Sequence, residues 1–357
     1  MIKIDNPILI SGHTRSGTNL LMRLIDGAAG IIIPPGEGKI NLLRRFLACS
    51  NIENQKRPSV DDILANIELN LPPAKDADVV AIIRRRLAQT DHPIGLFGIL
   101  TLFLETFAEY KSIDTVASDV RWLEKNHNLE FYWGRARSLF GSPKLLFVAR
   151  DPLDNWASWK KYCDQNDLEN SVAQARLNIG NHLANELVEL SFGIDRFESI
   201  ERLAAYYRIK ASATTQLLRF LDPKLRFSAL DDVPIDMDAF QGIGTPEGRF
   251  SWNYRMMYEK AASLAARYPD NIMIVKYEDM VQDTKSCMEA VLAFCGLAMS
   301  EINLVPTDNG EAWIGNSSFR SKATHKGVDI SSVGRGKSDL ACDEIENIRH
   351  VLAGVAS

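Results

Sequence analysis

The sequence predicts an α/β fold in which a central parallel sheet carries helices on both faces. Short, continuous apolar segments that indicate buried strands alternate with longer stretches of helical periodicity. Strands buried on both faces lack the alternation of a half-exposed sheet, and helices between consecutive strands connect them in parallel. At 357 residues, of which 46% are hydrophobic and 24% charged, the chain can bury a large core.

The strand candidates are residues 7–11 (PILIS), 114–118 (DTVAS), 144–149 (KLLFVA) and 271–276 (NIMIVK). The first and third gaps between them far exceed the roughly dozen residues that a crossover needs. We therefore predict a single domain over residues 1–357 with helical insertions at about 39–112 and 167–248. Ligands of open α/β sheets bind at the carboxyl ends of the strands, so these insertions are expected to shape a substrate pocket.

Charge and composition exclude several classes of protein. A formal net charge of −5 argues against a nucleic-acid binder driven by bulk electrostatics. The 5 cysteines are scattered and odd in number, which is typical of reduced thiols rather than of a disulfide framework or a zinc site. No segment approaches the ~20 apolar residues of a membrane span, and the amino terminus lacks a signal-peptide core. We expect a cytoplasmic protein with no membrane partner.

A glycine-bearing loop, Gly12-His-Thr-Arg-Ser-Gly-Thr-Asn19, follows the first strand and precedes a helix. Such a turn presents backbone N–H groups and the positive end of the helix dipole to an anion. Its spacing is that of a Walker A loop, but Thr18 stands where an ATP kinase needs lysine. Arg15 supplies a positive charge inside the loop instead. The alternative is a glycine-rich turn with a structural arginine.

A second motif, Arg150-Asp-Pro-Leu-Asp-Asn-Trp-Ala-Ser158, follows the third strand candidate. Asp151 is a plausible N-cap and Pro152 suits the first turn of a helix. Ser158 lies about two helical turns after Arg150, so guanidinium and hydroxyl can converge on one anion. Two anion sites at two strand ends suit a ligand with two separated phosphate groups. A local ion pair between Arg150 and Asp151 is the alternative.

With both motifs in view, the chain resembles the sulfotransferases that use 3′-phosphoadenosine 5′-phosphosulfate (PAPS). Five blocks occur in family order: TRSGTNLLMRLID, KLLFVARDPLDNWASW, SWNYRMMYEKAASLAARYPDN, VKYEDMVQDTKSCMEAVLAFCGL, and IGNSSF followed by SVGRGKSDL. The first is most similar to the RSGTTL loop of tyrosylprotein sulfotransferases and their bacterial relatives. The resemblance implies a P-loop-like sulfotransferase fold with a five-stranded parallel sheet, and transfer of a sulfuryl group from PAPS with release of PAP.

The resemblance also implies roles for matching positions. The 5′-phosphosulfate ligands would be Arg15, Ser16, Gly17, Thr18 and Asn19. The remaining nucleotide ligands would be Arg150 and Ser158 at the 3′-phosphate, Tyr277 beside the adenine, and Ser317 or Ser318 near the bridging oxygen. The chain departs from the family at Asn19, usually a second threonine, and at Gly336 and Lys337, where a tryptophan is common. The roles of Lys322 and Lys326 are therefore left open.

Sulfuryl transfer is an in-line displacement that builds charge on the bridging oxygen, so it needs cations there and a base for the acceptor. Arg15 is the first cation, and Lys125 stands where the resembled family has a catalytic lysine. Two residues are candidates for the base: Glu37, in PPGEGK, and His127, which forms a K-x-H pattern with Lys125. We favour Glu37 because an arginine-type loop accompanies glutamate in that family. No metal is expected.

Two other functions compete with this hypothesis. The missing Walker lysine disfavours an ATP-dependent small-molecule kinase. The retained Arg15 and Lys125 disfavour a non-catalytic module that only binds PAPS or PAP. We expect the acceptor to be a small molecule of specialised metabolism, through a hydroxyl or an amine. Assembly into a homo-oligomer is left open.

Overall fold

A computed structural model describes residues 2–34, 77–89, 96–110, 112, 120–127, 129–165, 243–308, 310–313 and 328–353. One sheet contains β1 (Ile2–Gly12), β2 (Ile31–Ile32), β3 (Val120–Lys125), β4 (Lys144–Ala149) and β5 (Ile272–Lys276). The antiparallel pair β6 (Thr307–Asp308) and β7 (Glu311–Ala312) lies apart from that sheet. Short 3₁₀ helices span Leu129–Tyr132, Glu301–Leu304 and Ile330–Ser332.

The α-helices follow in chain order. Before β4 lie α1 (Thr18–Ile25), α2 (Ala77–Ala88), α3 (Leu96–Tyr110) and α4 (Trp133–Phe140). After β4 lie α5 (Pro152–Gln165), α6 (Pro246–Arg267), α7 (Tyr277–Gln282), α8 (Thr284–Cys295), α9 (Gly336–Asp339) and α10 (Cys342–Leu352).

The 5 strands run parallel in the order β2-β3-β1-β4-β5, which confirms the predicted α/β fold with a parallel sheet. The chain places β1 in the middle, then builds β2 and β3 on one side and β4 and β5 on the other. The order of strands therefore reverses at β1. In open α/β sheets a crevice forms at the carboxyl edge of such a switch point, and ligands bind there.

The strand predictions hold in part. The segment KLLFVA is β4 with the predicted bounds, NIMIVK contains β5, and PILIS is the end of the longer β1. The predicted strand at 114–118 lies outside the described residues, and the strand beside β1 is instead VRWLEK. Its three charged residues concealed it, although Glu124 and Lys125 are buried. Lys125 is the last residue of this strand.

Both predicted insertions are described only in part. Within 39–112, α2 and α3 are helical as predicted, and the two helices pack against each other through ion pairs of Arg86 with Glu105 and Glu109. Within 167–248 the described residues are 243–248, where α6 begins. Thr245 caps that helix by accepting a hydrogen bond from the backbone N–H of Gly248, and Pro246 fits its first turn.

Alternate residues of the strands face two apolar layers. Leu9 and Trp122 pack on the side that Phe107 of α3 covers, whereas Ile8 and Ile10 face Leu21 of α1. All six are essentially inaccessible to solvent. Strands that are apolar on both faces are the expected consequence of helices on both sides of the sheet.

The buried centre of β4 gives a first prediction. Leu146 is fully buried and is paired in the ladder with Met273 of β5, which is only partly buried. We expect Leu146→Ala to lower the free energy of unfolding by about 2–5 kcal/mol because it leaves a cavity between two packed layers. Met273→Ala, the matched control, should cost less than half as much. Urea denaturation measures both values, and equal losses would contradict this account of the core.

Candidate functional site

The carboxyl ends of β1, β3 and β4 are adjacent at one edge of the sheet. Because the strands are parallel, the residues that follow each of them meet there. The loop 13–17 follows β1, Lys125 ends β3, Arg150 follows β4, and Tyr277 follows β5. The structure thus brings both sequence-predicted anion motifs to the same edge.

The loop after β1 turns tightly into α1. Gly17 has a φ of 102° and precedes the first residue of the helix, where no side chain caps the helix amides. A Cβ atom at Gly17 would lie 2.3 Å from Cδ2 of Tyr277, so glycine is required by both conformation and space. The Ser16 hydroxyl is buried and has no hydrogen-bond partner among the described residues. Ser16, Gly17 and Thr18 lie in the turn that the sequence predicted to bind an anion, and the half-buried Asn19 lies in the first helical turn.

Arg15 links this loop to helix α5. Its Nε donates to the Oγ atom of Ser158 at 3.3 Å, and its guanidinium lies 5.4 Å from the centre of the Tyr162 ring. Burial, and after it the nearby charge of Arg150, lowers the pKa of Arg15 to about 10. Arg15 therefore lies beside Ser158, the residue predicted for the 3′-phosphate, as well as in the loop predicted for the 5′-phosphosulfate.

Arg150 joins three segments of the chain. Its Nη1 donates to the carbonyl of Arg15 and its Nη2 to the carbonyl of Ser332, each at 2.9 Å. Arg150 is 5% exposed, its Nε has no hydrogen-bond partner in the described part of the chain, and burial lowers its pKa. The Asp151 carboxylate accepts from the backbone N–H groups of Leu153 and Asp154. Asp151 thus caps α5, as predicted.

Arg335 is a third arginine at this site, and the sequence reasoning missed it. Its positive charge contributes to lowering the pKa of both Arg15 and Arg150. Its Nε is buried, has no hydrogen-bond partner within the described ranges, and lies 3.8 Å from the carboxylate of Asp339. The sequence signal for it was the basic residue in SVGRGKSDL, which precedes the two positions where the chain departs from the resembled family.

Tyr277 lies among these groups. Its ring packs against Gly17, the Arg150 guanidinium is 4.3 Å from the ring centre, and its hydroxyl is 2.6 Å from the Oγ atom of Ser332. The ring therefore directly contacts the loop of residues 13–17, the predicted anion loop. Its predicted place beside an adenine stays a prediction.

Lys125 and His127 lie at the neighbouring strand end. Lys125 pairs with Ile10 in the ladder and is 4% exposed. Nδ1 of His127 lies 2.8 Å from the carbonyl oxygen of Gly12. A carbonyl only accepts hydrogen bonds, so this contact assigns the proton to Nδ1 and leaves Nε2 as the basic nitrogen. The K-x-H pattern is therefore next to the anion loop.

The remaining predicted residues lie outside the described part of the chain: Glu37, Ser317, Ser318, Lys322 and Lys326.

The described residues fit a ligand with more than one anionic group. The positive charges of Arg150 and Arg335 disfavour the charged form of Arg15, and that of Arg335 also disfavours the charged form of Arg150, a repulsion that a bound anion would relieve. The orphaned donors, Ser16 Oγ and the Nε atoms of Arg150 and Arg335, are the polar atoms such a ligand would satisfy.

The described residues contain neither a candidate metal site nor a candidate membrane-spanning helix. Among the described residues, no group of three or more His, Cys, Asp or Glu side chains is arranged to hold a metal ion. Within the same ranges, no helix combines the length and apolarity needed to cross a bilayer.

A family model described as a sulfotransferase domain matches residues 237–325. That segment includes β5 and the K-Y-E-D block. The match confirms the resemblance to sulfotransferases over about a quarter of the chain. No curated protein matches the chain.

Solved structures similar to this chain include three sulfotransferases. The sulfotransferase domain from the curacin biosynthetic pathway is 12% identical, with a TM-score of 0.48 and coverage of 98% of each chain. The sulfotransferase domain of the Synechococcus PCC 7002 olefin synthase is 15% identical, with a TM-score of 0.46 and coverage of 99% of this chain and 97% of the other. A sulfotransferase from Alicyclobacillus acidocaldarius is 15% identical, with a TM-score of 0.37 and coverage of 98% and 96%.

The convergence of arginines predicts a conflict between stability and binding. Arg335→Gln removes one of the like charges, so the melting temperature of the ligand-free protein should stay the same or rise. The increase in melting temperature on adding PAP should shrink because one phosphate contact is lost. Thermal-shift measurements with and without PAP test both effects. Arg349→Gln, at an exposed position of α10, is the control. A wild-type response to PAP in Arg335→Gln would remove Arg335 from the site.

Proposed function

We propose that the chain is a PAPS-dependent sulfotransferase, which transfers a sulfuryl group to a hydroxyl or amine of a small-molecule acceptor and releases PAP. The observation that carries this proposal is the meeting of Arg15, Arg150 and Ser158 where the loop after β1 enters α1. PAPS has a 3′-phosphate and a 5′-phosphosulfate, and therefore needs two neighbouring anion positions. A cytoplasmic location and a place in specialised metabolism remain predictions.

We assign the anion position formed by Arg150 and Ser158 to the 3′-phosphate of PAPS. Arg150 and Ser158 belong to one strand-to-helix unit, and Asp151 fixes its turn by capping α5. Arg150 is held by the carbonyls of Arg15 and Ser332, which directs its guanidinium without neutralising it. A buried guanidinium that already has its orientation loses little freedom on binding phosphate.

We assign the anion position formed by the loop after β1 to the 5′-phosphosulfate of PAPS. The amides of Gly17 and Thr18 lie at the start of α1, where the helix dipole adds a partial positive charge, whereas the amide of Ser16 donates to the carbonyl of His13. Arg15 is common to both positions, since its carbonyl accepts from Arg150 while its side chain donates to Ser158. This shared residue supports a single ligand across both positions rather than two independent anions.

PAPS supplies an activated sulfuryl group, and the protein has to stabilise the charge that grows on the leaving oxygen. Arg15 is one cation for this task, and Lys125, buried at the end of β3 beside the loop, is the other. Cations held in a buried site act more strongly than they would in water.

Two residues are candidates for the base that takes the proton from the acceptor. His127 has the proton on Nδ1, bonded to the Gly12 carbonyl, so Nε2 is the atom that can accept a proton. Glu37 is supported by the arginine-type loop. The two assignments lead to different mutant behaviour.

The nucleotide assignment predicts strong discrimination. PAP should bind much more tightly than adenosine 5′-phosphate, because only PAP carries the 3′-phosphate. Arg150→Ala should weaken PAP binding at least about tenfold, as expected for loss of one charge-assisted contact, and should affect adenosine 5′-phosphate much less. Calorimetric titration measures both affinities. Equal affinities in the wild-type protein, or tighter binding of ATP with Mg²⁺, would favour the kinase hypothesis instead.

The base assignment predicts which variant is slow. If Glu37 is the base, Glu37→Gln should lower kcat by ~10²–10⁴-fold and His127→Asn should be mild. If His127 is the base, the pattern should reverse. PAP binding should be unchanged in the slow variant, which separates lost chemistry from lost binding. The rates are measured as PAP release with one confirmed acceptor. A wild-type rate in both variants would refute both assignments and point to an amine acceptor with a neutral lone pair.

A further inference from the structure

A buried carboxylate lies beside the arginines and has no role in the reaction proposed above. Asp154, in the first turn of α5, is 1% exposed. Its Oδ2 accepts from the backbone N–H of Gly334, and its Oδ1 from that of Gly336, each at 2.7 Å. These short, charge-assisted bonds hold the two residues that flank Arg335.

The packing around Gly336 shows how closely this segment is held. A Cβ atom there would lie 2.4 Å from the carbonyl carbon of Leu153 and 2.6 Å from the backbone nitrogen of Asp154. The segment therefore rests directly on the backbone of α5, and a side chain at this position would push it away.

The charge of Asp154 acts on the same group of residues. It raises the pKa of Arg150, opposing the effect of burial, whereas Arg335 lowers it. Asp154 thus binds the segment that brings a further positive charge and offsets part of the resulting repulsion. Asp154 therefore affects both the position of the segment around Arg335 and the electrostatics of Arg150.

We propose that Asp154 is a positioning residue, which holds Arg335 in the arginine cluster and through it sets the preference for a nucleotide with a 3′-phosphate. This inference rests on the proposed function, because it assumes that the cluster binds PAP. Asp154 itself does not contact the nucleotide. It acts by fixing the backbone on both sides of Arg335, so that the guanidinium stays near Arg15 and Arg150.

Asp154→Asn tests this role most directly. Both carboxylate oxygens accept an amide N–H, so an asparagine must direct its own NH₂ group at one of the two amides. The side chain keeps its volume, which favours normal folding, while the hold on Gly334 or Gly336 is lost. Asp154→Ala provides a second variant, and near-ultraviolet circular dichroism checks the fold of each.

The measured quantity is the ratio of the dissociation constants of adenosine 5′-phosphate and PAP. We expect Asp154→Asn and Arg335→Gln each to reduce this ratio at least about tenfold. The double variant should show little further loss, because both changes remove the same contact. A purely structural role would instead weaken both nucleotides alike and leave the ratio unchanged.

Glu344→Gln is the matched control. Glu344 ties α10 to α5 through Trp156 and Lys160, so this variant loosens a neighbouring contact without touching Arg335. Its ratio should equal that of the wild type. A wild-type ratio in both Asp154 variants, or additive losses in the double variant, would overturn the inference. A wild-type protein with no preference for PAP would instead refute the proposed function.

Discussion

The burial of like charges at one edge of the sheet is the constraint on which the rest of the site depends. Burial and nearby positive charge both act against the charged forms of Arg15 and Arg150, and Arg335 contributes part of that charge at each of them. Arg150 is held by neutral acceptors, the backbone carbonyls of Arg15 and Ser332 and the Tyr277 ring. Such acceptors orient a guanidinium and leave its charge available for an anion. The cluster is therefore prepared for binding at some cost to stability.

The topology of the sheet explains why the arginines meet although they are far apart in sequence. The loop with Arg15 and the turn with Arg150 follow adjacent parallel strands, so their spacing is set by the distance between strands. Arg335 comes from a segment outside the sheet. That segment is bound to α5 by the hydrogen bonds from the amides of Gly334 and Gly336 to the Asp154 carboxylate. Two cations are thus positioned by the fold itself, and the third by a specific contact.

This difference also explains how much could be predicted from sequence. The residues of the two strand-end motifs were found because a strand, a turn and a helix leave a local pattern, and the bounds of β4 followed from its apolar run. β3 was missed because its charged residues are buried, which a local pattern does not reveal. Arg335 and Asp154 act through contacts between residues 182 positions apart. Such long-range pairing leaves no periodicity to detect.

The carbonyl of Gly12 connects the anion loop to the neighbouring strand end. Gly12 ends β1 immediately before the loop, and its carbonyl binds Nδ1 of His127. Lys125, two residues earlier, is fixed by its pairing with Ile10. Both side chains are therefore anchored to the sheet, since Gly12 is itself paired with Val148 of β4. A base anchored in this way would keep a fixed position beside a sulfuryl donor bound at the loop, which an in-line displacement requires because donor and acceptor must stay aligned.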